Sequence, residues 1–254
     1  MGFSIAVAGK GGTGKTSLCG LTIRYLTERR RGAVLAVDAD ANSNLNEVLG
    51  VKVHASVGAM REDSLAAVKS TAPRPGGMSM EQLFDYQIQQ AVVEAKGFDL
   101  LVMGRPEGPG CYCAANNIIR KYMDKLADTY PYTVMDNEAG LEHLSRRTTQ
   151  DTDLLLIISD PTVRGIMTGG RVAELVKELN LNVKRSVLIV NRVQDGTEGP
   201  LRQAIERTGV EFAGFIPADD LIFEFDLNGK PLVQLPADSK ALTSYYAMLD
   251  KLVP

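Results

Sequence analysis

The sequence predicts a doubly wound α/β fold, a mostly parallel sheet with helices on both faces. Three observations predict it. Short runs rich in Val, Ile and Leu alternate with segments of helical apolar spacing along almost the whole chain. Most of those runs are continuously apolar, as strands covered on both faces require. A loop dense in glycine follows the first run at once and opens into a helical pattern, which fixes where the winding starts.

Taken in order, strands are expected at Phe3 to Ala8, Ala33 to Val37, Phe98 to Met103, Tyr132 to Met135, Leu154 to Ser159, Ser186 to Asn191 and Glu211 to Ile216. Helical spacing runs through Leu18, Leu21, Tyr25 and Leu26, and again through Val172, Leu175, Val176 and Leu179. The stretch "TAPRPGGMSM", Thr71 to Met80, carries two Pro and two Gly and reads as an irregular surface loop. The basic run Arg29 to Arg31 reads as the solvated end of the first helix. With 254 residues, 44% of them hydrophobic, the chain can bury a sizeable core and is read as a single domain over residues 1–254.

A formal net charge of -3 argues against a protein that coats nucleic acid, because phosphate binding needs clustered Lys and Arg. No apolar run reaches the roughly 18 residues of a membrane span. The start "MGFSIAVAGKGG" passes straight into a strand and glycine loop, without a charged n-region. The expectation is a cytoplasmic protein with neither a membrane nor a nucleic-acid partner. In that reducing compartment closely spaced cysteines favour metal or redox chemistry over a bridge.

The loop itself is "GKGGTGKTS": Gly9, Lys10, Gly11, Gly12, Thr13, Gly14, Lys15, Thr16 and Ser17. Glycines let successive N–H groups face phosphate oxygens, Lys15 adds a point charge, and the Thr16 hydroxyl can ligand magnesium. Nucleoside triphosphate binding follows. Lys10 is surplus to the phosphates of its own loop, and is either merely exposed or used elsewhere. "GKGGxGKT" resembles the deviant Walker A motif of the SIMIBI class of P-loop ATPases, which includes the nitrogenase iron protein, ParA, MinD and ArsA families. That resemblance implies ATP and ADP as ligands, and a Lys10 that reaches across a homodimer interface to the partner's nucleotide.

Two acidic segments fit the same edge. "VDADANSN" ends the second strand with Asp38 and Asp40, and "YTVMDNEAG" ends the fourth with Asp136 and leads to Gly140. Acids there can order magnesium, position an attacking water, cap a helix or form a turn. The resemblance gives the water-orienting role to Asp40, so that Lys10, Lys15 and Asp40 form the catalytic set, and makes Asp136 a Walker B-like acid. Asn191, which closes "SVLIVN", and Pro217 in "IPADD" occupy positions resembling the adenine-contacting edge of the class; as residue types both are also turn formers.

The stretch "GPGCYCAANN", Gly108 to Asn117, holds two of the three cysteines. Residues i and i+2 on a helix point about 200° apart, so Cys111 and Cys113 can share an ion only in a loop or extended segment. Pro109 and Gly110 supply that context. Two thiolates make half of a tetrahedral zinc shell or half of a square-planar nickel site, and a second copy across a two-fold axis completes either. Buried thiols are the alternative reading. Cys19, among the core positions of the first helix, reads as a small buried hydrophobe.

"VMGRPEGPGCYCAANNIIR", with "DNEAGLEHLSRR" from Asp136 to Arg147, resembles the CooC family and its relative AcsF, ATPases that mature nickel enzymes. The resemblance runs from Ala6 to about Asp219. It implies an ATP-dependent, dimeric metallochaperone with nickel, or zinc, on Cys111 and Cys113 of both copies. Its client would be carbon monoxide dehydrogenase or acetyl-CoA synthase. Rival readings fare less well. An iron-sulfur ATPase of the nitrogenase type needs a second cysteine, and Asn137 to Leu144 has none; the two CxC pairs leave a cluster open. A MinD-type positioner needs a basic amphipathic tail, where "SKALTSYYAMLDKLVP" offers only Lys240 and Lys251. A ParA-type partitioner needs a basic face. His143 is a metal ligand or a partly buried switch residue.

Overall fold

The computed structural model describes residues 2–40, 42–58, 79–104, 125–137 and 151–254. Strand β1 (Phe3–Gly9) leads through the glycine loop into helix α1 (Lys15–Tyr25), which widens into one π-helical turn at Leu26–Arg30. Then come β2 (Val34–Asp38), a short α2 (Leu45–Leu49), α3 (Met80–Ala91), β3 (Val93–Ala95), β4 (Phe98–Val102) and β5 (Tyr132–Asp136). The second half runs β6 (Asp151–Ser159), α4 (Val163–Glu178), β7 (Asn182–Val193), α5 (Glu198–Thr208) and β8 (Glu211–Pro217). It ends with α6 (Asp220–Leu227), a 3-10 turn (Leu232–Gln234) and α7 (Lys240–Leu252).

All eight strands form one sheet in the order β3-β4-β2-β5-β1-β6-β7-β8, parallel throughout except for β3 against β4. Alternate residues of each strand face opposite layers. Ile5, Val7, Val34, Leu154 and Val187 pack under α1, α2 and α7, while Ala6, Leu155 and Leu188 face α4 and α5. Leu35, Val37 and Leu101 pack on that second face beneath Ile88 and Ala91 of α3. The doubly wound expectation holds, and continuous burial on both faces is why the strands read as unbroken apolar runs.

The differences have physical reasons. Strand β3 is three residues, antiparallel and at an edge, too short for a pattern. Strands β6 and β7 begin earlier than the apolar runs because polar residues tie their starts. The Asp153 carboxylate accepts from the Ser4 N–H and hydroxyl and from Lys184. Of the helical positions on α4, Val172 and Val176 are buried, but Leu175 and Leu179 are more than a third exposed. The loop expected over Thr71 to Met80 lies mostly outside the described residues; its end is not loop, since Ser79 caps α3 in a capping box with Gln82. The basic run is not simply solvated either. Arg29 stacks over Tyr246, and Arg30 stacks over Tyr25 and donates to the Val253 carbonyl.

Helix α1 is therefore pinned from behind by α7. Tyr245 and Thr22 share a buried hydroxyl contact at 2.7 Å, Tyr25 donates to Asp250, and Tyr246 donates to Glu28. In front, α1 meets α2 at Gly20, where an added Cβ would lie 2.2 Å from Val48 Cγ1. Alanine would gain about 1 kcal/mol of helix propensity, while overpacking costs about 1–3 kcal/mol. Gly20→Ala is therefore expected to lower stability by about 1 kcal/mol in urea unfolding; a more stable variant would show that α2 yields freely.

Candidate functional site

The parallel register brings the chemistry to one edge. Asp38 pairs with Val102 and with Asp136, and Gly9 pairs with Ile158, so the ends of β1, β2, β4 and β5 lie together. Gly9 has φ of 150°, and a Cβ there would meet the Ile158 carbonyl oxygen at 2.2 Å. Gly14, at φ of 91°, caps α1 with no side-chain hydrogen bond, which leaves the first N–H groups of the helix for a ligand. Thr13 Oγ1 donates to the Lys10 carbonyl at 2.9 Å, and the buried Lys15 Nζ donates to the same oxygen at 3.3 Å. Lys10 and Gly11 are exposed, and Thr16 and Ser17 half-buried.

The three aspartates are brought together, and they differ. Asp38 spends both oxygens on backbone N–H groups, Oδ1 on Asp40 and Oδ2 on Leu45. It is a turn former that opens α2. Asp40 Oδ1 accepts from the Asn42 N–H at 2.8 Å, and its carboxylate is half-exposed. Asp136 is buried, and among the described residues neither of its oxygens has a hydrogen-bond partner. Burial pushes its carboxyl up to about 7; the nearby Thr16 hydroxyl and Lys15 act to lower it, and Asp38 and Asp40 to raise it. Burial likewise pushes Asp38 up to about 6, against the two N–H donors that lower it.

An orphaned buried carboxylate beside a threonine hydroxyl and the phosphate loop is the donor set that magnesium uses, which prefers oxygen ligands alongside substrate phosphates. Asp136 and Thr16 fit the ion. Among the described residues no cluster of three or more His, Cys, Asp or Glu could hold a metal by itself. Next to Thr16 and Ser17 a cavity of about 750 Å³ opens against Asn44, Glu47, Asp226 and Lys230, room into which the rest of a nucleotide can extend.

Asn191 is not at the rim of that cavity. Its Nδ2 donates to the Thr13 carbonyl at 2.9 Å and its Oδ1 accepts from the Arg192 N–H. Pro217 ends β8, and Asp219 just beyond it caps α6 and accepts from Ser239 at the start of α7. Cys111, Cys113, Gly140 and His143 lie outside the described residues. Cys19 is fully buried, and burial, with Asp136 and Asp38 adding to it, pushes its thiol well up, as suits a core residue. Sequence reasoning missed two residues. Arg192 donates to the Gly12 carbonyl from a left-handed backbone, and nothing in the sequence marks that conformation. Asn137 donates twice to the Val7 carbonyl and keeps a buried, unpartnered Oδ1. Its place after the Asp136 strand was the available signal.

Residues 4–232 match the family described as the CobQ/CobB/MinD/ParA nucleotide binding domain, and the chain belongs to it. Among its relatives is an uncharacterised ATP-binding protein of Methanocaldococcus jannaschii, 41% identical over 249 residues and covering 98% of each chain. The carbon monoxide dehydrogenase accessory protein CooC of Rhodospirillum rubrum is 29% identical over 261 residues, covering 98% of this chain and 97% of that one. Among solved structures, the septum site-determining protein MinD of Pyrococcus horikoshii, complexed with Mg-ADP, superposes with a TM-score of 0.70 at 21% identity. It covers 100% of this chain and 96% of that one, and shares the fold.

The raised carboxyls set a pH dependence. A group whose folded pKa lies above its unfolded value destabilises the fold once ionised, so its favourable share is full below about pH 4 and lost as pH rises through about 7. Magnesium-free protein is expected to lose on the order of 2 kcal/mol between pH 5 and 8. Asp136→Asn should flatten that slope. Thermal melts of both proteins across this window, with chelator present, test it; parallel slopes would mean Asp136 is already ionised at pH 5.

Proposed function

We propose that the protein is a magnesium-dependent ATPase that works as a homodimer and carries nickel toward a nickel enzyme, of the carbon monoxide dehydrogenase or acetyl-CoA synthase kind. The observation that carries the ATPase reading is the phosphate loop beside a buried carboxylate, Asp136, whose oxygens have no hydrogen-bond partner among the described residues. The loop's N–H groups and the start of α1 hold phosphates, and Lys15 exchanges its contact with the Lys10 carbonyl for a phosphate oxygen. Thr16 and Asp136 would hold magnesium, which when bound would supply charge neutralisation. Asp40, half-exposed and accepting from the Asn42 N–H of its own turn, orients the attacking water. Lys10, exposed at the loop's tip, serves the partner's nucleotide.

Support for the nickel role is the full-length likeness to CooC together with the Cys111 and Cys113 pair. Strand β4 ends beside Asp38, and Met103 donates to the Asp38 carbonyl. The chain thus enters the segment bearing the two cysteines from the same sheet edge as Asp136, so phosphate-dependent change at that edge can reach them. A MinD-type positioning role draws on the shared fold. Against it, the apolar side of α7 is spent on the core through Leu242, Tyr245, Leu249 and Leu252, so this helix has no apolar face free to enter a membrane.

Two measurements test the reading. Lys15→Ala should abolish ATP turnover, and Asp40→Ala should leave nucleotide affinity within about threefold while cutting hydrolysis at least 100-fold; native turnover in Lys15→Ala would remove the site. For the cargo, apo-protein titrated with nickel should bind one ion per dimer with thiolate charge-transfer absorption, lost in Cys111→Ser or Cys113→Ser and weakened at acid pH. One ion per monomer, or undiminished binding in either variant, would refute a shared site.

A further inference from the structure

The phosphate loop is gripped from outside by two consecutive residues of β7. Regular strand geometry sends consecutive side chains to opposite faces, yet Asn191 Nδ2 reaches the Thr13 carbonyl at 2.9 Å and Arg192 Nη2 reaches the Gly12 carbonyl at 2.7 Å. The register between β7 and β8 breaks between Val190 and Val193, and within that irregularity Arg192 takes a φ of 59°. Asn191 Oδ1 accepts the Arg192 N–H at 3.0 Å and braces the turn. A non-glycine residue in the left-handed region is strained, and it persists only where its surroundings impose it. Gly14 completes the fit, since a Cβ there would lie 2.6 Å from Asn191 Nδ2 and 3.3 Å from Arg192 Nη2.

In a trans peptide the carbonyl of one residue and the N–H of the next lie in one plane and point opposite ways. Holding the Gly12 and Thr13 carbonyls toward β7 therefore aims the Thr13 and Gly14 N–H groups away from it, toward the phosphate side of the loop. We propose that Arg192 is a positioning residue for nucleotide binding: its guanidinium, with the Asn191 amide, pre-sets the loop's N–H groups for phosphate before ligand arrives. Pre-set donors cost no reorganisation when the anion enters. Arg192 is itself exposed and faces Asp226, which lines the adjoining cavity. Its removal leaves the core intact.

This role rests on the nucleotide reading, and the test separates the two. Mg-ADP affinity is measured by calorimetry, with thermal melts, for the parent, Arg192→Gly and Arg192→Lys. Glycine adopts positive φ freely, so Arg192→Gly releases the strain while deleting the grip. The expected result is an unchanged or higher melting temperature with roughly tenfold weaker Mg-ADP binding, partly restored in Arg192→Lys. ATP turnover should show KM raised by a similar factor and kcat within about twofold, because the N–H groups serve ground and transition states alike. A parent that fails to bind Mg-ADP overturns both readings. Parent-like affinity in Arg192→Gly overturns this one alone, and so does a loss of affinity matched by a lower melting temperature.

Discussion

The carboxylate of Asp136 sits at the end of a buried parallel strand beside the phosphate loop, and among the described residues neither of its oxygens has a hydrogen-bond partner. An ion in that position, desolvated and unpaired, opposes folding. Asp38 has the same strand-end setting yet is satisfied by two N–H groups, so the sheet edge can furnish partners. Among the described residues it furnishes none to Asp136, so the charge there is relieved by protonation or by a bound cation. Stability is thereby linked to ligand: whatever brings magnesium to this edge stabilises the folded protein by mass action.

An unsatisfied charge is useful only if its neighbours hold still, and much of the remaining structure supplies that stillness. The loop is held from β7 through Asn191 and Arg192. The helix that follows it is held from behind by α7, through Tyr245 on Thr22 and Tyr25 on Asp250, and in front by α2 packed against Gly20. These contacts come from elements far apart in the chain. The phosphate loop is local in sequence and its rigidity is not.

That division decides what the sequence could reveal. The glycine loop, Lys15, Thr16 and the strand-end acids are adjacent to apolar runs, and a strand buried on both faces announces itself by unbroken Val, Ile and Leu. Position alone, however, could not say which aspartate was spent: Asp38 and Asp136 end similar strands, and only the neighbours of each make one a turn former and leave the other without a hydrogen-bond partner among the described residues. Short or polar pairing was illegible for a related reason. Strand β3 and the first residues of β6 and β7 are held by backbone ladders and by Asp153, not by an apolar pattern. The exposed Leu175 and Leu179 share the helical spacing of the buried Val172 and Val176, and two neighbouring rows on one helix cannot be told apart until a second layer covers one of them.

The same geometry bears on how nucleotide could communicate with the metal cargo proposed above. Asp38, Val102 and Asp136 end side by side on three hydrogen-bonded strands, and Ala39 and Met103 continue the ladder by donating to the Asp136 and Asp38 carbonyls. Backbone bonds of this kind transmit displacement with little slack, because each buried N–H that loses its partner costs about 1–3 kcal/mol. On the reading proposed above, a shift imposed on Asp136 by magnesium and phosphate would reach the strand that leads toward Cys111 and Cys113 within two hydrogen bonds. That reading requires no second binding domain for ATP to act on the thiols, since the carboxyl edge of the sheet would serve as the coupling path.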